Sequence, residues 1–352
     1  MYFNTTHVPS RTVSTEIGEL LFFSGTAYLG MPPDQNLHKL VIEGMATYGA
    51  NYGVSRTSNL RLAIFEKAEQ HLCQRTGAEA ALTLSSGYMA GQLLVRRLRQ
   101  LYPDAHFRYA PHTHPAILME NYQYPAVSFE QWSSNILEEI AKNPSEKYIL
   151  LADTVNTLYG KTHDFSWLNQ LPKDQKIILV IDDSHSFGVL GENGNGISEL
   201  LPHYEHIELL VVSSLSKASG IPAGFVLSSQ NVRTQLMESG FFRGSSPANP
   251  AYLYAFERLD AIYKQKHQQL QENIRYFAQK IKDVGIFSFS DNYPVFYTAN
   301  DQLYPYLLEN KVLVSSFAYP KSDGDIITRI IISALHTKAD LDFLAEKINQ
   351  FV

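Results

Sequence analysis

Lys217 closes a short apolar stretch that passes Val211 and Val212 and runs into the hydroxyls of Ser213, Ser214 and Ser216. Gly220 and Pro222 follow, so the chain turns there. An ammonium at the mouth of a buried strand is desolvated. Its pKa falls, and the free amine can attack a carbonyl. Taken alone, such a lysine reads first as an exposed loop residue, but other segments change the reading. The apolar run 176–181 leads straight into Asp182, Asp183, Ser184 and His185, placing an acid and an imidazole at a strand's carboxyl end. The run 80–84 leads into Ser86, Gly87 and Tyr88 and then into the helical spacing of Leu93, Leu94 and Leu98. Free N–H groups where that helix begins could hold an anion. Ligands of open α/β sheets bind beyond the carboxyl ends of the strands, so these segments can converge. An amine, an acid, an imidazole and a phosphate cradle together describe a pyridoxal 5′-phosphate site.

Arg329 adds a substrate contact. It interrupts the apolar run 326–332, where a guanidinium is costly unless it meets an anion. A bidentate amino-acid carboxylate would satisfy it, and a structural salt bridge is the alternative.

The elements that must carry these groups are read from periodicity. An arm reaches to about residue 40 and includes a short strand at 20–23. Helices are expected near 60–76, 90–101 and 134–142, and strands at 80–84, 106–110, 147–152, 176–181 and 207–213. Such alternation implies an α/β fold with a mostly parallel sheet covered by helices on both faces. Helical spacing continues from 250 to 284, which predicts one long connecting helix. Strand patterns at 293–298, 311–314 and 326–333 and a helix near 338–350 complete a small α+β unit. The expected division is an arm at 1–40, a large cofactor domain at 41–240, a connecting segment at 241–284 and a small C-terminal domain at 285–352.

These residues resemble, in order over most of the chain, the α-oxoamine synthase group of fold-type I pyridoxal-phosphate enzymes. Tyr28-Leu29-Gly30-Met31 resembles the group's YLGL, Ser86-Gly87-Tyr88 its SGY, and Asp182-Asp183-Ser184-His185 its DEAH. Ser214-Leu215-Ser216-Lys217-Ala218 resembles TLSKA, and Arg329 with Ala334, His336 and Thr337 resembles a C-terminal R-x-x-x-x-A-x-H-T. The resemblance implies that Lys217 holds the cofactor as an imine, Asp182 faces its ring nitrogen and His185 its phenolic oxygen. His114 would stack on the ring, with His112 a competitor close by. Thr157 would also reach the phenolic oxygen. Ser86, Gly87, Tyr88 and Ser214 would hold the phosphate. Ser246 would reach the phosphate of a neighbouring subunit, implying a homodimer with shared active sites; an ordinary Gly-Ser turn is the alternative. The implied reaction condenses a small amino acid with an acyl thioester such as acyl-CoA.

Departures concern the acyl acceptor more than the cofactor. Thr26 and Ala27 stand where the group has an asparagine before YLGL, and the glycine-rich loop after Tyr52-Gly53 contracts to 54–59. An aminotransferase using the same lysine is therefore the alternative reaction. More distant readings are a non-catalytic binding protein on this fold and a metal-dependent amidohydrolase built on His112, His114, Lys217 and Asp182, although His203 and His206 precede their strand. Ser214-x-x-Lys217 also spells an acylating motif of penicillin-binding enzymes, but Lys-Thr-Gly and Ser-Asp-Asn are lacking.

Composition is consistent with this reading. A net charge of −6 gives no argument for nucleic acid or an anionic membrane. The one cysteine, Cys73, cannot form an internal disulfide, and the first residues lack a basic, then apolar, leader pattern. No metal is expected, and the cytoplasm is the expected compartment.

Overall fold

The computed structural model describes residues 3–119, 125–319 and 324–352. Its larger sheet has six strands in the order Ala80–Leu84, Gly224–Ser228, Ile207–Ser214, Ile177–Asp182, Tyr148–Asp153 and His106–Tyr109. Gly224–Ser228 runs antiparallel to both neighbours, and the pairings from Ile207–Ser214 out to His106–Tyr109 are all parallel. The central strands read as unbroken apolar runs because both faces are covered. Along Ile177–Asp182, Ile177, Leu179 and Ile181 enter one apolar layer while Ile178 and Val180 enter the other. That second layer is closed by the helix Gly87–Leu101, through Ala90, Leu93, Leu94 and Leu98.

A second sheet has the order Thr12–Thr15, Gly18–Phe23, Val312–Tyr319, Asp325–Ile331 and Val295–Thr298. Its core pairing joins the two ends of the chain, with Gly18–Phe23 parallel to Val312–Tyr319. His336 pins this junction. Its ring stacks on Phe23 at 3.9 Å, and Nε2 donates to the Phe22 carbonyl at 3.0 Å.

Several elements differ from the periodicity reading, three of them near the site or its supports. The expected helix over 250–284 is two helices, Pro250–Phe256 and Asp260–Lys280. Asp260 starts the second and accepts from His71 at 3.0 Å, while Leu259 stays buried between them. The apolar spacing therefore continues across a break that periodicity alone cannot detect. A helix, Gln35–Tyr48, begins within the arm and runs past its expected end at residue 40; its N-cap Asp34 accepts from the Asn36 and Leu37 amides. Gly44 lets it approach Pro250–Phe256 so closely that a Cβ there would lie 2.6 Å from the Ala251 carbonyl oxygen. The strand Gly224–Ser228 was hidden by its position directly after the lysine loop. No described helix is long and apolar enough to cross a membrane.

Candidate active site

Strand parity decides which side chains meet. Side chains alternate across a sheet, so Asp182 shares the face of Ile178 and Val180, and Asp183 points the other way. Asp153 shares the face of Ile149 and Leu151 and lies opposite Asp182 in the parallel register. Ser214 follows Leu210 and Val212 to the same face. All three therefore project toward the side covered by the helix Gly87–Leu101, at the carboxyl ends of their strands. Asp183 instead receives the Thr154 hydroxyl at 2.6 Å, the Ser186 hydroxyl and the Ile197 amide at 3.1 Å. It holds the following turn together, and its burial pushes the carboxyl up to about 7.

Lys217 sits in the excursion between Ile207–Ser214 and Gly224–Ser228, which is closed by Leu215 N–H to the Ala223 carbonyl at 2.9 Å. The lysine is half-buried. Burial lowers its pKa, while the Asp182 and Asp153 carboxylates oppose the shift. Asp182 is buried and accepts the Ser184 amide at 2.9 Å. Asp153 accepts the His114 amide at 3.1 Å, and burial, followed by the nearby Asp182, holds its carboxyl well above the usual range. His114 Nδ1 lies 3.7 Å from Asp182 Oδ2 and accepts the Ala116 amide at 3.1 Å. His112, at φ 60°, instead meets the Tyr159 ring edge to face at 5.9 Å. The structure thus brings His114, of the two histidines, beside Asp182.

His185 Nδ1 shares a hydrogen with the Tyr28 hydroxyl at 2.9 Å, and Tyr28 meets the Tyr293 hydroxyl at 3.4 Å. Burial, then the charge of Lys217 and the nearby His114 and Arg329, keeps His185 well below its ordinary pKa. Arg329 lies over the Phe317 ring at 4.9 Å and donates to the Thr157 carbonyl. Among the described residues it has no carboxylate within ion-pair distance, and its buried Nε has no partner. The structural salt bridge considered for Arg329 is absent from these residues.

The anion cradle is built by close packing. Ser86 caps the helix Gly87–Leu101 by accepting the Met89 amide at 3.2 Å, which leaves the Gly87 and Tyr88 amides outside the helical pattern. A Cβ on Gly87 would lie 2.7 Å from Ser214 Cβ, and one on Gly224 would overlap the Gly87 amide. Two glycines thus allow the helix end to sit directly on the strand that carries Ser214. Ser246 is exposed beyond the short helix Gly240–Gly244, and no described hydrogen bond joins it to this cluster.

Asp153, Tyr28 and Tyr293 had no role in the sequence reading. Asp153 ends an apolar run as Asp182 does, so its signal was available. Tyr293 gave none, because its approach to Tyr28 depends on packing 265 positions apart.

The donor set fits pyridoxal phosphate: an amine for an aldehyde, a carboxylate for a ring nitrogen, and a helix N-terminus whose first amides lie outside the helical pattern for a phosphate. Among the described residues, no group of three or more histidine, cysteine, aspartate or glutamate side chains is arranged to hold a metal.

Comparison with known proteins places the site in context. Residues 27–348 match the family described as aminotransferase class I and II. The 8-amino-7-oxononanoate synthase of Petrotoga mobilis is 26% identical over 343 residues, covering 92% of this chain and 86% of the relative. A solved structure of SPT with PLP superposes with a TM-score of 0.85 at 18% identity, over 99% of this chain and 92% of the other. The 8-amino-7-oxononanoate synthase of Francisella tularensis gives 0.74 at 20% identity, over 94% of this chain and 97% of the other. At these identities the two structural likenesses establish the fold.

Proposed function

The chain belongs to the aminotransferase class I and II family, and from that premise we propose that it is a pyridoxal-phosphate-dependent transferase joining a small amino acid to an acyl thioester. The observation that carries this reading is the half-buried amine of Lys217 among the carboxyl groups of Asp182 and Asp153, three residues beyond Ser214, against which the helix Gly87–Leu101 begins. The likeness to 8-amino-7-oxononanoate synthases over nearly the whole chain favours condensation over transamination.

When bound, pyridoxal phosphate supplies an electron sink for charge at the amino acid's α-carbon. Asp182 would hold the proton of the ring nitrogen, and His114 would cover the ring. His185 and Thr157 would face the phenolic oxygen. The Gly87 and Tyr88 amides, the Ser86 turn and the Ser214 hydroxyl would take the phosphate. Arg329 would grip the substrate carboxylate through its unused donors and so orient the α-carbon. Lys217, its pKa lowered by burial, would take the α-proton as a base, and the resulting ammonium would be steadied by Asp182. Ser246, exposed and apart from the site of its own chain, would serve the phosphate of a second copy in a homodimer.

The test is Lys217→Ala, with the visible band of added pyridoxal phosphate, release of free CoA from acyl-CoA, and circular dichroism as readouts. The expected variant keeps its fold and loses both the band and turnover. An alanine variant that still releases CoA at the parental rate would refute the assignment. Amino-group transfer by the parent protein without thioester would replace condensation by transamination.

A further inference from the structure

We propose that Tyr28 is a positioning residue that holds His185 in the tautomer with its ring proton on Nε2, where it can donate to the cofactor's phenolic oxygen. The target of that donation rests on the cofactor reading above; the tautomer itself does not.

A neutral imidazole carries one proton, and the bond at one nitrogen decides where the proton sits. His185 is kept neutral by burial and by the cations around it. Its Nδ1 is engaged by Tyr28 at 2.9 Å, whereas no described residue bonds Nε2. The direction of the Nδ1 bond follows from counting hydrogens. Tyr28 and Tyr293 are buried, at 2% and 0% exposure, and bring two phenolic hydrogens to two contacts. If Tyr293 donates to Tyr28 and Tyr28 donates to Nδ1, both hydrogens are used. If Nδ1 carries the proton and donates to Tyr28, at least one phenolic hydrogen is left buried without an acceptor among the described residues, which is costly.

The Arg329 cation acts on both phenols and favours their lone pairs, not their hydrogens, turned toward it. The chain therefore runs from Tyr293 through Tyr28 to Nδ1, leaving Nε2–H as the free donor. An Nδ1–H tautomer would instead present a lone pair at Nε2, which repels a phenolate oxygen. This role for Tyr28 is distinct from packing, since removing its hydroxyl leaves the ring in place.

The test is ring-nitrogen NMR of histidine-labelled protein, with His185 assigned by His185→Gln, before and after addition of pyridoxal phosphate. Wild type is expected to show protonated Nε2 and unprotonated Nδ1. Tyr28→Phe should lose this single tautomer and show a mixture. Tyr293→Phe removes a buried hydroxyl from the same pair but leaves Tyr28 only one acceptor, so it should keep the wild-type tautomer. A wild-type proton on Nδ1, or an unchanged tautomer in Tyr28→Phe, overturns the proposal. Should Tyr28→Phe not fold, the wild-type and Tyr293→Phe tautomers still decide it. Because the tautomer is read without cofactor, a protein that never takes up pyridoxal phosphate defeats the functional reading and leaves this result standing.

Discussion

Substituting Gly87 by alanine separates the cradle from ordinary helix energetics. In an unconstrained helix alanine would be favoured by up to about 1 kcal/mol. Here the added Cβ would lie 2.7 Å from Ser214 Cβ, 3.0 Å from its Cα and 3.1 Å from its nitrogen. Relaxed carbon pairs sit at roughly 3.5–4.0 Å, so one partner must move by about 1 Å. The strand cannot yield easily, because Ser214 is paired with Gly224 and its amide donates to Ser184 Oγ at 2.9 Å. The helix end must move, carrying the Gly87 and Tyr88 amides away from the proposed phosphate position. Overpacking of this kind costs about 1–3 kcal/mol, partly offset by helix propensity, so the melting temperature should change little. Losing one hydrogen bond to a charged group costs about 1.5–3 kcal/mol. At 1.4 kcal/mol per tenfold, affinity for pyridoxal phosphate should fall roughly 10- to 150-fold. Titration of the cofactor-free protein by its visible band measures this directly. Gly240→Ala is the control, since nothing lies within 4 Å of its Cβ. Parental affinity in Gly87→Ala would refute the cradle, whatever the melting temperature.

Two further outcomes follow from other parts of the molecule. Arg329→Lys replaces a planar fork by a single ammonium, so kcat/KM for the amino acid should fall about 10- to 100-fold with cofactor binding retained; initial rates against amino-acid concentration measure this. His336 uses both ring nitrogens while neutral, donating to the Phe22 carbonyl and accepting the Ser333 amide at 3.0 Å, and burial lowers its pKa from 6.5 to about 4. The folded state thus binds fewer protons than the unfolded state in that window, and stability is lost as pH falls from 6.5 toward 4. The loss amounts to about 3 kcal/mol at 1.36 kcal/mol per unit. Asp183 acts in the opposite sense, because its raised carboxyl stabilises less as pH rises from 3.8 to about 7. Guanidinium unfolding of wild type against His336→Gln isolates the histidine, and the stability gap between them should narrow on acidification; a constant gap would exclude this linkage.

The sequence alone determined that Lys217, Asp182, His185 and the Ser86-Gly87-Tyr88 turn end or follow buried strands, because a strand covered on both faces must be a continuous apolar run. It also carried the likeness to pyridoxal-phosphate enzymes, since the residues that touch a cofactor recur in short fixed runs. Tertiary structure decided everything that depends on distance across the chain. The register of two parallel strands set Asp153 beside Asp182, and local turn geometry put His114, not His112, next to them. The break at 257–259 coincides with Asp260 meeting His71, a contact invisible to a periodicity that Leu259 preserves. Tyr28, Tyr293 and His185 came together from three distant segments. Periodicity reports which face of an element is apolar, whereas the partners of a buried polar atom are fixed only when those faces pack.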